Sequence, residues 1–147
     1  MWKEKDWIWF AGFMDGEGTF TINSGIKRNG KTNKEYTRLE PRISVSGNDK
    51  GIISHIAKVL NVTVKKRMQV NMLYTIDFKK QKKIVETLRK LIPFLKLKKK
   101  HALLLLIFCE SRINIIKKSK NYKTQSYTEN EFNIYFKLKE LNRRGAI

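Results

Sequence analysis

Two carboxylates stand in a short glycine-rich segment near the start of this 147-residue chain. Asp15 and Glu17 are each followed by a glycine, Gly16 and Gly18, and the segment comes directly after a run of apolar residues. A carboxylate between two glycines projects freely, and the glycines leave room for a phosphate to approach the backbone. Because hard divalent cations prefer carboxylate and carbonyl oxygens, Glu17 and the carbonyl group of Gly16 are candidate metal ligands. Taken without their context, the two acids are more often a solvated pair at the end of a helix.

The helix that must position these acids is predicted from the residues before them. Residues 5–14 read as a short helix that is apolar on every side, and such a helix is buried, here against a second copy of itself. The small residues Ala11 and Gly12 would let another backbone approach closely. The segment 15–18 is expected to end the helix, so that Glu17 would follow it.

The rest of the chain predicts an α+β fold in one domain spanning residues 1–147. Alternating apolar and polar residues indicate two hairpins, and Pro41 is typical of an edge or bulged strand. Apolar residues at helical spacing and a capping box at Thr128–Glu131 indicate the later helices. After the first helix, the predicted elements are strands at 19–26 and 36–46, a helix from about 49 to 60, strands at 62–68 and 73–79, and helices at 82–91, 99–118 and 128–141.

The composition predicts a polyanionic partner. Lysine and arginine total 32 and aspartate and glutamate total 13, which gives a formal net charge of +19. Nucleic acid is favoured over a membrane because no segment is both basic and amphipathic with an aromatic face that would enter lipid, and no apolar run approaches the roughly 20 residues of a membrane span. A solvated basic surface is the alternative. A single cysteine, Cys109, excludes a disulfide scaffold and a cysteine-rich zinc site.

Residues Phe10 to Gly18 resemble the nine-residue motif of the LAGLIDADG homing endonucleases. Alanine and glycine at the second and third places, two apolar residues, and the ending Asp-Gly-acid-Gly all match. Phe10 replaces the leading leucine and Glu17 replaces the second aspartate, and both keep the chemical type. The order of the later elements, the segment Pro-Phe-Leu-Lys-Leu-Lys at 93–98 and the basic residues after Leu141 are also similar to the family.

This resemblance implies a site-specific nuclease that hydrolyses one phosphodiester in each DNA strand with a divalent cation. Mg²⁺ or Mn²⁺ would support cleavage, and Ca²⁺ would be a non-catalytic substitute. Glu17 and Lys98 would be the catalytic residues, since Lys98 matches the lysine that the family uses to handle water or to stabilise charge at the phosphate. The family often carries a glutamine at the start of the middle helix. The equivalent here is Gly47, which lacks a side chain, with Asn48 as the alternative.

A single copy of the motif implies, in this family, a homodimer whose motif helices pack at a two-fold axis. The interface residues would be Ile8, Ala11, Gly12 and Asp15. Each subunit would then supply one Glu17 and bind half of a pseudo-palindromic site. A strand of about 10 residues reaches about 33 Å, which corresponds to roughly ten base pairs per subunit.

The polar faces of the strands are expected to read double-stranded DNA in the major groove. The alternative is a merely solvated face on which Arg38 and Arg42 pair with Glu40. In the second hairpin Lys65, Lys66 and Arg67 are consecutive, so alternation does not decide which of them face DNA. The expected DNA-binding residues are Thr21, Asn23, Lys27, Arg38, Glu40, Arg42, Ser44, Lys65, Lys66, Arg67, Thr75, Asn142, Arg143 and Arg144.

The same residues are compatible with three other functions. A maturase that aids RNA splicing, or a DNA-binding protein without cleavage, would keep the fold. A basic RNA-binding structural protein would not need a carboxylate flanked by glycines.

The absence of a membrane span and of a recognisable secretory segment predicts an intracellular location, in an organelle that encodes the protein or in a prokaryotic cytoplasm.

Overall fold

Two β-hairpins alternate with helices in the order that the sequence predicts, and the α+β fold class is confirmed. The computed structural model describes residues 1–118 and 126–143. A short 3₁₀ turn at Ile92–Phe94 separates the third and fourth helices, at Pro93. The elements are α1 (Glu4–Glu17), β1 (Gly18–Arg28), β2 (Glu35–Gly47), α2 (Lys50–Leu60), β3 (Val64–Met68), β4 (Met72–Phe78), α3 (Gln81–Leu91), α4 (Lys99–Lys118) and α5 (Glu129–Asn142).

Helix α1 is longer than the sequence predicts at the end that carries the acids. It continues through Asp15 and Gly16 to Glu17, and the backbone N–H of Gly18 donates to the carbonyl of Met14. The expected break after Met14 was wrong because one glycine in a last turn costs only about 1 kcal/mol, which the packing of α1 outweighs. Glu17 is therefore the last helical residue rather than part of a following loop.

The strands form one antiparallel sheet in the order β1-β2-β4-β3. Strand β2 pairs with β1 from Glu35 to Val45, which is all but its last two residues, but pairs with β4 only from Ile43 to Gly47. Pro41 therefore lies in the part of β2 that has a partner on one side only, as a residue without a backbone N–H requires. The helices cover one face of the sheet, where the buried side chains include Phe20, Ile43 and Ile76.

Helices α4 and α5 close the core on the β1 side of the sheet. The fully buried carboxylate of Glu131 accepts from Arg112 at 3.1 Å and from Ser111 at 3.0 Å, and it also completes the capping box with Thr128. The predicted capping box at the start of the last helix is thus confirmed. No helix within residues 1–118 and 126–143 is both long enough and apolar enough to span a membrane.

Candidate functional site

The carboxylate of Glu17 lies at the exposed C-terminal end of α1. Asp15 and Glu17 both lie in the last turn, which contains no basic residue. The C-terminal end of a helix carries partial negative charge, so acids there are locally unfavourable unless something compensates them. Glu17 has no hydrogen-bond or ion-pair partner in the described part of the chain.

The chain turns from α1 into β1 at Gly18, where only a glycine fits. A Cβ atom there would lie 2.9 Å from the backbone oxygen of Met14 and closer still to the Met14 side chain. A Cβ atom on Gly16, by contrast, would meet no atom within 4 Å. The two glycines of the motif therefore differ, because Gly18 permits the close packing of the turn and Gly16 leaves open space beside Glu17.

The Asp15 carboxylate is compensated inside the subunit. It accepts hydrogen bonds from the backbone N–H groups of Lys96 at 2.8 Å, Leu97 at 3.1 Å and Lys98 at 2.9 Å, directly before α4. Helix N-termini carry partial positive charge, so this is a favourable place for a carboxylate. These hydrogen bonds within its own chain engage both carboxylate oxygens of Asp15, and its place at a subunit interface stays a prediction.

Lys98 brings a cation to the end of the motif. Its ammonium group donates a hydrogen bond to the carbonyl of Gly18. Burial lowers the pKa of Lys98 from its ordinary value, against the opposing influence of the Asp15 and Glu17 charges. The predicted pair Glu17 and Lys98, which is far apart in sequence, thus meets around the α1–β1 turn.

A groove of about 430 Å³ lies beside Glu17. Phe13 and Glu17 line it from α1, Gly47 and Asn48 from the end of β2, and Leu73 from β4. Gly47 leaves the groove without a side chain at that position, and Asn48 is exposed beside it. No group of three or more His, Cys, Asp or Glu side chains suited to a metal ion occurs among residues 1–118 and 126–143. Two acids line this groove, Glu17 and Asp49, and the Asp49 carboxylate accepts a hydrogen bond from the backbone N–H of Ile52 as the cap of α2.

The sheet face away from the helices carries most of the predicted DNA-binding residues. The register places Thr21 opposite Arg42, Asn23 opposite Glu40 and Ser44 opposite Asp77. Thr75 pairs with Ser46, and their hydroxyl oxygens lie 2.8 Å apart. The same face continues outwards to Lys27 and Arg38, so all of these side chains lie on one open surface.

Ion pairs link the charged side chains on this face. The alternative interpretation of the sequence, a solvated face, predicted such pairs of Arg38 and Arg42 with Glu40. Glu40 lies 3.2 Å from Arg42, 3.8 Å from Arg38 and 3.4 Å from Lys79. Arg42 also lies 3.9 Å from Asp77. Burial by itself would raise the pKa of Glu40, but the hydrogen bonds from Lys79 and Arg42 outweigh it, and the pKa is lowered from 4.5. Glu40 therefore stays ionised near neutral pH, and its ion pairs hold the cations along the face.

The three consecutive basic residues of β3 are divided between the two faces. Lys65 pairs with Thr75 and Arg67 with Leu73, which places both on the open face, whereas Lys66 pairs with Tyr74 on the opposite face. Lys66, which was expected to bind DNA, therefore lies on the face opposite to the other expected DNA-binding residues of the sheet, because the pleat alternates the side chains between the two faces.

The predicted residues at the C-terminus lie at the edge strand β1. The Asn142 side-chain amide donates to the carbonyl of Phe20 at 2.9 Å, and Arg143 pairs with Glu140 at 2.7 Å. Both side chains remain exposed. Arg144 lies outside the described residues.

The outer side of α1 is an apolar stripe that includes Ile8, Trp9 and Gly12. Ile8 and Trp9 are 49% and 43% exposed, and a Cβ atom on Gly12 would meet nothing within 4 Å. Ala11 is fully buried in the core of the subunit, so its expected place at the interface was wrong. The sequence could not show which side of α1 is buried, because residues 7–14 place apolar or small residues on every side of the helix.

Sequence reasoning missed several residues of these surfaces. On the open face these are Tyr36, Ser46 and Lys79, and on α1 they are Trp9 and Phe13, whose rings stack at 5.6 Å. Continuing the alternation of β2 and β4 to their ends would have found the first three. The i, i+4 spacing of Trp9 and Phe13 was visible in the sequence as well.

Comparison with known proteins identifies the family. A family model described as LAGLIDADG endonuclease matches residues 10–110. No curated protein sequence matches the chain. Among solved structures, the archaeal intron-encoded homing endonuclease I-Vdi141I complexed with DNA is similar with a TM-score of 0.74 and 18% identity, over 97% of this chain and 87% of that one.

Two further structures extend the comparison. The homing endonuclease I-CvuI, in complex with the I-CreI target in 2 mM Mg with the DNA not cleaved, has a TM-score of 0.62 and 18% identity, over 92% of this chain and 96% of that one. The I-LtrWI LAGLIDADG homing endonuclease bound to target DNA has a TM-score of 0.66 and 18% identity, over 99% of this chain but only 46% of that one. Because the family model spans more than half of the sequence, the chain belongs to the LAGLIDADG endonuclease family.

Proposed function

We propose that this protein is a site-specific homing endonuclease that binds double-stranded DNA as a homodimer and hydrolyses one phosphodiester in each strand. The observation that carries the proposal is the uncompensated carboxylate of Glu17 at the end of the motif helix, beside the Lys98 ammonium held at the Gly18 carbonyl. An acid at the negative end of a helix is stabilised when a cation binds there. The family membership and the DNA complexes of the similar structures support the same activity.

The apolar stripe on α1 supports the homodimer. Exposed large apolar side chains beside a glycine with open space above it suit the close approach of a second helix. The stripe runs towards Gly16, so two copies packed along it bring their Glu17 carboxylates together. The I-LtrWI chain, of which this chain covers less than half, is about as long as two copies of it.

The residues present fit a divalent cation between the two subunits. Glu17 and the carbonyl group of Gly16 would hold it, with the matching pair from the second subunit, because two carboxylates that meet without a cation repel each other. Mg²⁺ or Mn²⁺ would be the cation that supports cleavage, and Ca²⁺ would bind without supporting it. The cation would stabilise the negative charge that develops on the phosphate and on the leaving oxygen.

The chain's own residues bind and orient the DNA. The open face presents Lys27 and Arg67, which have no acidic partner among residues 1–118 and 126–143, beside paired cations such as Arg38. Lysine and arginine supply most phosphate and guanine contacts. The Lys98 ammonium, fixed at Gly18, lies where it can stabilise a negative phosphate oxygen next to Glu17. The exposed Asn48 amide at the rim of the groove can hydrogen-bond to water beside the same phosphate.

The proposal is tested by selecting cleaved sequences from a random DNA library with Mg²⁺, and then repeating the cleavage with Glu17→Gln. We expect cuts in a pseudo-palindromic site of about twenty base pairs, and a variant that binds this site as the wild type does but does not cut it. Sedimentation should find two subunits per site.

Three results would contradict the proposal in different ways. Cleavage by Glu17→Gln at the wild-type rate would exclude the catalytic role of Glu17. Binding of the site as a monomer would exclude the shared metal site. Tight binding of DNA or RNA without any cleavage in Mg²⁺ or Mn²⁺ would support the binding-only or maturase alternative instead.

A further inference from the structure

We infer that Asp15 is a positioning residue that fixes Lys98 next to Glu17, an inference that rests on the nuclease function proposed above. Asp15 does not line the groove, and within the described part of the chain its carboxylate accepts hydrogen bonds from backbone N–H groups 81 to 83 residues away. It would act on the reaction through Lys98 rather than by touching DNA or metal.

Both ends of Lys98 are tied to the motif. Its backbone N–H donates to Asp15 at 2.9 Å, and its ammonium group donates to the carbonyl of Gly18. The two anchors are only three residues apart, at the end of one helix. Since a lysine side chain has four rotatable bonds, fixing its backbone at the motif removes much of the conformational freedom that a distant ammonium group would have.

The hydrogen bonds of Lys98 connect Asp15 to the start of α4. The carbonyl of Lys98 accepts from Ala102 in the first turn of α4 at 3.0 Å, so Lys98 is the residue directly before that helix and accepts its first hydrogen bond. One carboxylate binds three consecutive N–H groups, and hydrogen bonds to a charged acceptor are about twice as strong as neutral ones. Movement of α4 relative to α1 is therefore resisted at this point.

Loss of Asp15 should loosen this segment without unfolding the protein. Lys96 and Leu97 are exposed, so water can bind their N–H groups when the carboxylate is removed. The helices remain held by buried contacts such as those of Met14, Leu95 and Ala102. The expected defect is a misplaced ammonium group in a folded protein that still binds DNA.

A double-mutant cycle tests the inference on the full-length protein. Single-turnover cleavage is measured at saturating protein for the wild type, Asp15→Ala, Lys98→Met and the double variant. We expect Asp15→Ala to slow cleavage at least about 10-fold with DNA affinity within about 3-fold of the wild type. In the Lys98→Met background the same change should alter the rate by less than about 3-fold, because Asp15 acts through Lys98.

Two further variants separate positioning from general stability. Thr128→Ala removes a comparable helix cap, the hydrogen bond from the N–H of Glu131 to the Thr128 hydroxyl at the start of α5, and should leave the cleavage rate unchanged. Asp15→Asn keeps an acceptor oxygen and should restore part of the lost rate. Amide hydrogen exchange at residues 96–98 should accelerate in Asp15→Ala but not in Thr128→Ala.

The outcomes that overturn the inference are distinct from failure of the proposed function. If the losses from Asp15→Ala and Lys98→Met multiply, or if exchange at residues 96–98 is unchanged in Asp15→Ala, Asp15 does not act through Lys98, although the protein is still a nuclease. A wild-type protein that cleaves no DNA refutes the proposed function, and with it any catalytic consequence of this contact.

Discussion

The Lys65 ammonium group donates to both carboxylate oxygens of Asp77, at 3.0 and 3.3 Å, across the β3–β4 pair. The contact places Lys65 on the open face of the sheet, in line with the ion pairs around Glu40. Its neighbour Lys66 lies on the other face. Two adjacent lysines thus provide a matched pair for testing which surface binds DNA.

Lys65→Ala should weaken DNA binding and reduce its salt dependence, whereas Lys66→Ala should do neither to a comparable extent. Each lost phosphate contact makes the negative slope of the logarithm of the binding constant against the logarithm of the salt concentration less steep by about 0.9. Binding measured from 50 to 200 mM salt for both variants checks this. Equal losses from the two variants would mean that the open face of the sheet is not the binding surface.

Gly12→Leu should abolish self-association while the subunit stays folded. A side chain at this position meets no atom of its own subunit, and leucine has a higher helix propensity than glycine by roughly 0.8 kcal/mol. Sedimentation should show a monomer, and circular dichroism should show an unchanged helix content. Asn133→Leu, at an exposed position of α5, is the control for adding an apolar side chain to a helix surface. A dimeric Gly12→Leu protein would rule out the α1 stripe as the interface.

Glu40→Gln should destabilise the protein at pH 7 but not at low pH. The pKa of Glu40 is lowered in the folded state, so its stabilisation is fully present above the ordinary value of 4.5 and is lost as pH falls through the lowered folded-state pKa. The ion pairs are only partly buried, which limits the effect to about 1 kcal/mol or less. Urea unfolding of wild type and variant at pH 7 and at pH 3.5 measures the difference. A difference in the free energy of unfolding between wild type and variant that is larger at pH 3.5 than at pH 7 would contradict the assigned ion pairs of Glu40.

Arg112→Met should destabilise the fold far more than Arg89→Met. The first change leaves the fully buried Glu131 carboxylate without its guanidinium partner, which costs about 3–5 kcal/mol in comparable cases. The second removes the exposed pair between Arg89 and Glu110, at 3.1 Å, and should cost less than about 1 kcal/mol. Urea midpoints and slopes give both values. Similar losses would show that the buried Arg112–Glu131 pair matters no more to stability than the exposed Arg89–Glu110 pair.

Local patterns predicted most of the fold because they depend on residues that are close in sequence. Apolar residues at alternating or helical spacing define the strands and helices, and the Thr128–Glu131 capping box defines the start of α5. The bounds that were wrong, such as the end of α1 at Glu17, depend on packing that the pattern of residues does not contain. Glu17 and Lys98 could be proposed as site residues because each lies in a local segment that resembles the family's motifs, and their roles stay predictions.

The sequence by itself determined the order of the elements, the acidic motif and the excess of positive charge, because each follows from residue type and short spacing. Only the tertiary structure decided that Asp15 binds the start of α4, that Lys66 points away from Lys65 and Arg67, and that Ala11 is buried while Ile8 is exposed. These outcomes depend on strand register and on contacts more than 80 residues apart. A helix apolar on all sides and a run of three cations are each compatible with either face until the rest of the chain packs against them.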